Sequence, residues 1–152
     1  MEMNRHAIIL LVEDNPADQE LTVRALKKGT LNTDLQIVED GQEALDYLRK
    51  SGPFANKDCP FPDLILMDIN MPRMDGKQAL KEIRNDPDLK SIPIVMLTTS
   101  SADRDVFESY KLGVNAYINK PVEISDFINV ISRLEDFWFR LTLLPKRNTD
   151  KK

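Results

Sequence analysis

Residues 62–76 read PDLILMDINMPRMDG, a short apolar run followed by an acidic residue and a loop-forming segment. Its apolar segment LILM, at 64–67, is too short for a helix, and it is typical of a strand that is buried on both faces of a parallel sheet. Asp68 follows that strand directly, and the prolines and the glycine around it predict a loop that leads into a helix. A carboxylate at the end of a buried strand is therefore the first functional candidate in the chain.

The same alternation of short apolar runs and amphipathic stretches continues on both sides. The predicted strands are residues 7–12 (AIILLV), 35–38 (LQIV), 64–67 (LILM), 94–97 (IVML) and 116–118 (AYI). The predicted helices are residues 16–28, 41–50, 75–85, 101–111 and 123–139. Alternating strands and helices form right-handed βαβ units. The sequence therefore predicts an α/β fold with a doubly wound five-stranded parallel sheet of flavodoxin-like order 2-1-3-4-5, with an extended C-terminal helix.

Length and charge limit the domain count and the partners. A chain of 152 residues fits one domain, which we predict over residues 1–145, followed by a charged tail at 146–152. The net charge of −4 argues against direct DNA binding, and no apolar run is long enough to predict a membrane span. Cys59 is the only cysteine, which favours a reducing, cytoplasmic location.

Polar residues follow the strands at the edge of the sheet where doubly wound folds bind ligands. They are Glu13 and Asp14 after the first strand, Asp68 after the third, Thr98 after the fourth and Lys120 after the fifth. Three carboxylates in one pocket repel each other unless a cation compensates, and oxygen ligands favour a hard cation such as Mg2+. For Glu13 and Asp14 alone, capping of the following helix is an equally good explanation, and the matching positions of the other residues favour function.

Four motifs resemble those of bacterial response-regulator receiver domains. They are LVEDN (11–15), PDLILMDINMPRMDG (62–76), PIVMLTTS (93–100) and AYINKP (116–121), and the resemblance covers about residues 7–139. By this resemblance Asp68 is the phosphoacceptor, a nucleophilic carboxylate that forms an acyl phosphate. Glu13, Asp14 and Asp68 are then the carboxylates that hold Mg2+, Asp14 directly and Glu13 through a water molecule, together with the backbone carbonyl of Asn70.

The resemblance also implies the parts of a conformational switch. Thr98 is the switch hydroxyl, Tyr117 is the switch aromatic residue, and Lys120 pairs with the phosphoryl group. The peptide bond between Lys120 and Pro121 resembles the one that is cis in receivers. This sequence departs from the family at Thr99, where a very small residue is usual, and the bulkier side chain is expected to slow phosphate turnover.

A narrower resemblance concerns the partner. The loop at 52–62, the stretch LTTS (97–100) and the ending EDFWFRLTLLP (135–145) are similar to the single-domain regulators that pair with bacterial and cyanobacterial phytochrome histidine kinases. This resemblance implies a phytochrome-type histidine kinase as the phosphodonor. It also implies a protein that is not an enzyme, beyond Mg2+-dependent self-phosphorylation and slow autodephosphorylation.

The last predicted helix carries more apolar surface than one domain face buries. Val130, Phe137 and Leu141 lie beside the stripe that covers the sheet, and Trp138 belongs to that stripe. One explanation is a chain end that folds back on its own domain. The other is a homodimer with these four residues at the interface, since exposed apolar patches usually mark interaction surfaces.

Two other functions stay open on the residues alone. Haloacid-dehalogenase-like phosphatases also use an aspartate at a strand end, but they carry a second aspartate two residues later, where this chain has Asn70. An amide cannot act as that general acid. A pseudo-receiver that signals without phosphate is the second alternative, and the complete set of polar residues argues against it.

Overall fold

The fold is seen in a computed structural model that describes residues 7–27, 33–69, 71, 73–98, 111, 113–114 and 116–119. The described elements, in chain order, are β1 (Ala7–Val12), α1 (Pro16–Lys27), β2 (Thr33–Val38), α2 (Gly41–Arg49), β3 (Leu64–Asp68), α3 (Gly76–Arg84), β4 (Ile94–Thr98) and β5 (Ala116–Asn119). One turn of 3-10 helix, Gly52–Phe54, lies between α2 and β3. In the part of the chain that is described, no helix is both long and apolar enough to cross a membrane.

The strands form one parallel sheet in the order β2-β1-β3-β4-β5. The predicted α/β fold with a parallel, flavodoxin-like sheet is thereby confirmed. The predicted helix at 123–139, which includes the C-terminal extension, lies outside the described residues, and so does the helix at 101–111 except for Lys111.

Two apolar layers cover the two faces of the sheet, because successive side chains of a strand point to opposite faces. Ile9 and Leu11 of β1 pack on the side of α1, in one cluster with Ala25 and Leu26. The alternate residues of the same strand pack in a second cluster with the buried faces of α2 and α3. Every residue of β3 is buried, as its continuous apolar run predicts.

The helices that follow β2 and β3 begin at side-chain caps. Asp40 caps α2 by accepting a hydrogen bond from the backbone N–H of Glu43. Asp75 caps α3 in a capping box with Gln78. These caps place the start of each helix directly behind the carboxyl edge of the sheet, where the predicted site lies.

Candidate metal and phosphoacceptor site

The predicted carboxylates meet at the carboxyl edge of the sheet. Val12 at the end of β1 is paired with Met67 of β3, so Glu13 and Asp68 leave the sheet at the same level. The carboxylate oxygens of Glu13, Asp14 and Asp68 include one from each residue that lie within 4.8 Å of one another. The structure therefore brings together the three side chains that the sequence placed at two separate strand ends.

Burial differs within this cluster, which we call the carboxylate cluster (Glu13, Asp14 and Asp68). Glu13 is 2% exposed and Asp68 is 8% exposed, whereas Asp14 is exposed. Ionised carboxylates are costly to bury beside one another unless a cation or hydrogen bonds compensate. The donor set and its partial burial therefore fit a divalent cation with hard oxygen ligands, and Asp14 lies on the solvent side.

The N-terminus of α1 is capped by Asn15 rather than by Asp14. The Asn15 side-chain oxygen accepts hydrogen bonds from the backbone N–H groups of Ala17 and Asp18, at 2.8 and 3.1 Å. The sequence contained this signal, because Pro16 is the first helical residue and the cap is the residue before it. Helix capping thus does not account for Asp14.

The backbone around Glu13 is held from two sides. Its N–H donates to the carbonyl of Val38 at 2.9 Å, which extends the contact of β1 with β2. Its carbonyl accepts from the Gln19 side chain at 2.7 Å, and its carboxylate accepts from the N–H of Asn15 at 3.2 Å. The connection between β1 and α1 is therefore an ordered support for both of its acidic residues.

The backbone of Asp68 is packed against the start of α3. Gly76 is buried there, and its N–H donates to the carbonyl of Ile69 at 2.8 Å. A Cβ on Gly76 would overlap the carbonyl oxygen of Asp68 and would lie 2.9 Å from the Ile69 Cα. This close approach requires a residue without a Cβ, and it brings the start of α3 against the backbone of Asp68.

The described residues settle the backbone positions of two further candidates. Thr98 ends β4 and is paired with Asn119, one residue beyond the pair of Asp68 with Leu97. Tyr117 lies in β5 opposite Met96. The other candidates lie outside the described residues: Asn70, Thr99, Lys120, Val130, Phe137, Trp138 and Leu141.

Sequence reasoning missed an ion pair beside the site. The Arg73 guanidinium donates two hydrogen bonds to the Asp40 carboxylate, from Nε at 2.7 Å and from Nη2 at 3.1 Å. The two residues are 33 positions apart, and neither belongs to the polar set at the strand ends. No local pattern could have paired them, although the cap at Asp40 was detectable as an acidic residue before Gly41.

The chain is similar to known signalling proteins over most of its length. A family model described as the response regulator receiver domain matches residues 9–132. Response regulator Rcp1 of Synechocystis sp. is 42% identical over 144 residues, which cover 95% of this chain and 97% of Rcp1.

Solved structures show the same likeness. The phosphorylated cyanobacterial phytochrome response regulator RcpA is 44% identical with a TM-score of 0.86, and the match covers 93% of this chain and all of that one. The Mn2+-bound form of Rcp1 is 42% identical with a TM-score of 0.85, and the match covers 92% of this chain and 99% of that one.

Proposed function

The chain belongs to the response regulator receiver family, and we propose that it accepts a phosphoryl group on Asp68 with Mg2+ at the carboxylate cluster. The observation that carries this proposal is the meeting of Glu13, Asp14 and Asp68 at the carboxyl edge of the sheet. Receiver domains bind a divalent metal at such an acidic pocket, and Mg2+ as the working ion is part of our proposal. We assign residues 1–145 to the receiver and 146–152 to a charged tail.

Phosphoryl transfer needs a nucleophile, and the negative charges of that nucleophile and of the phosphoryl group must be neutralised. An Asp68 oxygen attacks phosphorus, the new O–P bond forms, and the bond between phosphorus and the donor nitrogen of a phosphohistidine breaks. The histidine nitrogen leaves with the electron pair, and Asp68 becomes an acyl phosphate. A divalent cation held by Glu13, Asp14, Asp68 and the carbonyl of Asn70 would supply charge neutralisation.

Family membership favours this function over both alternatives. The comparisons give no support to a haloacid-dehalogenase-like phosphatase or to a phosphate-independent pseudo-receiver. Receiver domains are generally not true enzymes. Self-phosphorylation and slow autodephosphorylation, with Lys120 pairing with the phosphoryl group, belong to the proposal.

We propose a phytochrome-type histidine kinase as the physiological donor. The support is the likeness to RcpA, a cyanobacterial phytochrome response regulator, over 93% of this chain. The chain spans nearly the full length of these relatives, so the likeness is not confined to the part common to all receivers.

The test of the metal is substitution of Asp14. Asp14→Asn should weaken Mg2+ binding by a factor of roughly 100, because loss of a group that only orients a metal ligand already costs about 10- to 100-fold and Asp14 is proposed as a direct ligand. Isothermal titration calorimetry measures this affinity, and phosphorylation by a small acyl phosphate should stop in excess EDTA. Glu20→Gln is the matched control, since Glu20 is an exposed carboxylate of α1 that pairs with Arg24. Undiminished phosphorylation in EDTA would remove the metal from the proposal.

We further propose that phosphorylation is read out through Thr98, Tyr117 and a homodimer of the C-terminal region. In this proposal Thr98 moves toward the phosphoryl group, Tyr117 follows, and the dimer forms through Val130, Phe137, Trp138 and Leu141. The double variant Val130→Arg/Phe137→Arg should remain monomeric in light scattering at micromolar concentration, because it would bury two charges at the interface. A wild type that is monomeric with and without a phosphoryl analogue would contradict the dimer.

A further inference from the structure

The ion pair of Arg73 and Asp40 joins two loops at the edge of the metal site. Asp40 lies between β2 and α2, and its side chain is 7% exposed, whereas the Arg73 side chain is 59% exposed. Both carboxylate oxygens are used: Oδ2 accepts from Arg73 Nε, and Oδ1 accepts from Arg73 Nη2 and from the Glu43 N–H. Two parallel charge-assisted hydrogen bonds give this pair a defined geometry.

The backbone at Arg73 is in a conformation that arginine rarely adopts. Its φ is +60°, in the left-handed region that favours glycine. Arg73 therefore has a strained backbone conformation, and from this position its side chain reaches Asp40. A residue kept only for the shape of this turn would be glycine or asparagine.

The pair completes a chain of contacts around the carboxylate cluster. On one side, the Glu13 N–H donates to Val38, the last residue of β2, and Asp40 follows two residues later. On the other side lies the acceptor loop, residues 69–75, which follows Asp68, the last residue of β3. This loop is tied to α2 twice, by Arg73 and by the hydrogen bond from the Gly41 N–H to the Met74 carbonyl at 2.9 Å.

We propose that Arg73 and Asp40 are positioning residues for the metal site. They hold the acceptor loop against the start of α2, and so keep the carboxyl end of β3, with Asp68, beside Glu13 and Asp14 as a shared divalent cation requires. This inference rests on the proposed function and adds to it the two residues that preorganise the site. Because Glu13 and Asp14 follow β1 and Asp68 ends β3, the fraction of molecules with both strand ends in place scales the apparent metal affinity.

An ordinary surface ion pair would not act in this way. Arg49 pairs with Asp86 and Glu82 at the other end of α2, but the distances are 3.2 and 3.6 Å and no metal candidate is near in sequence. Exposed pairs of that kind contribute little. At Asp40, burial by itself raises the carboxyl pKa, yet hydrogen bonds from Arg73 and from the backbone lower the pKa overall. Arg73 thus acts together with the backbone donors at the start of α2 to keep the buried carboxylate ionised.

The experiment measures Mg2+ affinity and phosphorylation rate separately. We expect Arg73→Gln and Asp40→Asn each to weaken Mg2+ binding about tenfold, as is common when groups that orient metal ligands are lost. The double variant should bind Mg2+ no more weakly than the weaker-binding single variant, because the two substitutions remove the same contact. At saturating Mg2+ the phosphorylation rate should recover, since the bound ion then holds the ligands in place without the ion pair. Asparagine is a good N-cap, so Asp40→Asn keeps α2 intact, which denaturant unfolding will check.

Two further variants separate positioning from strain and from charge. Arg73→Gly removes both the ion pair and the strain at φ +60°, and we expect Mg2+ binding as weak as in Arg73→Gln. Arg49→Gln removes an arginine from the exposed pair and should bind Mg2+ like the wild type. Wild-type affinity in Arg73→Gln or in Arg73→Gly would overturn the positioning role alone. A wild type that binds no Mg2+ would overturn the proposed function and this inference together.

Discussion

Replacing Asp68 with asparagine is expected to abolish phosphorylation, from the wild-type level to below detection. The side chain is 8% exposed and sits in the carboxylate cluster, so an amide of the same shape should fit without repacking. An amide has no nucleophilic carboxylate oxygen and cannot form an acyl phosphate.

The measurement is radiolabel transfer from a small acyl phosphate and from an autophosphorylated phytochrome-type kinase. The wild-type label should be acid-stable and base-labile, as expected of an acyl phosphate. Asp75→Asn is the matched control: it makes the same chemical change seven residues later, at an N-cap that asparagine serves equally well. An Asp68→Asn protein that labels like the wild type, or an Asp75→Asn protein that does not label, would contradict Asp68 as the acceptor.

The fold could be predicted because three of its strands, β1, β3 and β4, are almost continuously apolar runs with polar residues after them. In β3 the run of 64–67 predicted burial on both faces, and all of its residues are buried. The predicted helix at 75–85 agrees within one residue at each end with α3 (Gly76–Arg84), in which Asp75 is the N-cap rather than the first helical residue. These signals are local, so the sequence carries them without knowledge of the tertiary contacts.

The candidate site was predictable only to the level of strand ends. The rule for doubly wound sheets predicted that Glu13, Asp14 and Asp68 lie together, because they stand at the carboxyl ends of two neighbouring parallel strands. The link between Arg73 and Asp40 was not predictable, since it depends on where two loops meet across 33 residues. The close packing of Gly76 against the backbone of Asp68 could not be predicted either, because a glycine after a helix cap has several ordinary explanations in sequence.

The second large effect is expected from Gly76→Ala. At the first position of α3, alanine is favoured over glycine by up to about 1 kcal/mol on helix propensity alone. The new Cβ would overlap the Asp68 carbonyl and press on the Ile69 Cα at 2.9 Å, and both are backbone atoms that cannot rotate away. Overpacking of this kind costs about 1–3 kcal/mol, so the net effect should be destabilising.

The larger consequence of Gly76→Ala concerns the acceptor. To admit the methyl group, either α3 or the backbone of Asp68 must move, and a displacement of about 1 Å at a reacting group can slow a reaction by about 100-fold. We therefore expect phosphorylation by a small acyl phosphate to slow about 10- to 100-fold, under conditions where denaturant unfolding shows a folded protein. Gly52→Ala is the control, because Gly52 has a φ of +55° and its Cβ would meet only the Asp46 side chain, at 3.2 Å. That variant should lose about 1 kcal/mol of stability yet phosphorylate normally. If Gly76→Ala phosphorylates as fast as Gly52→Ala, contact with α3 does not determine the position of Asp68.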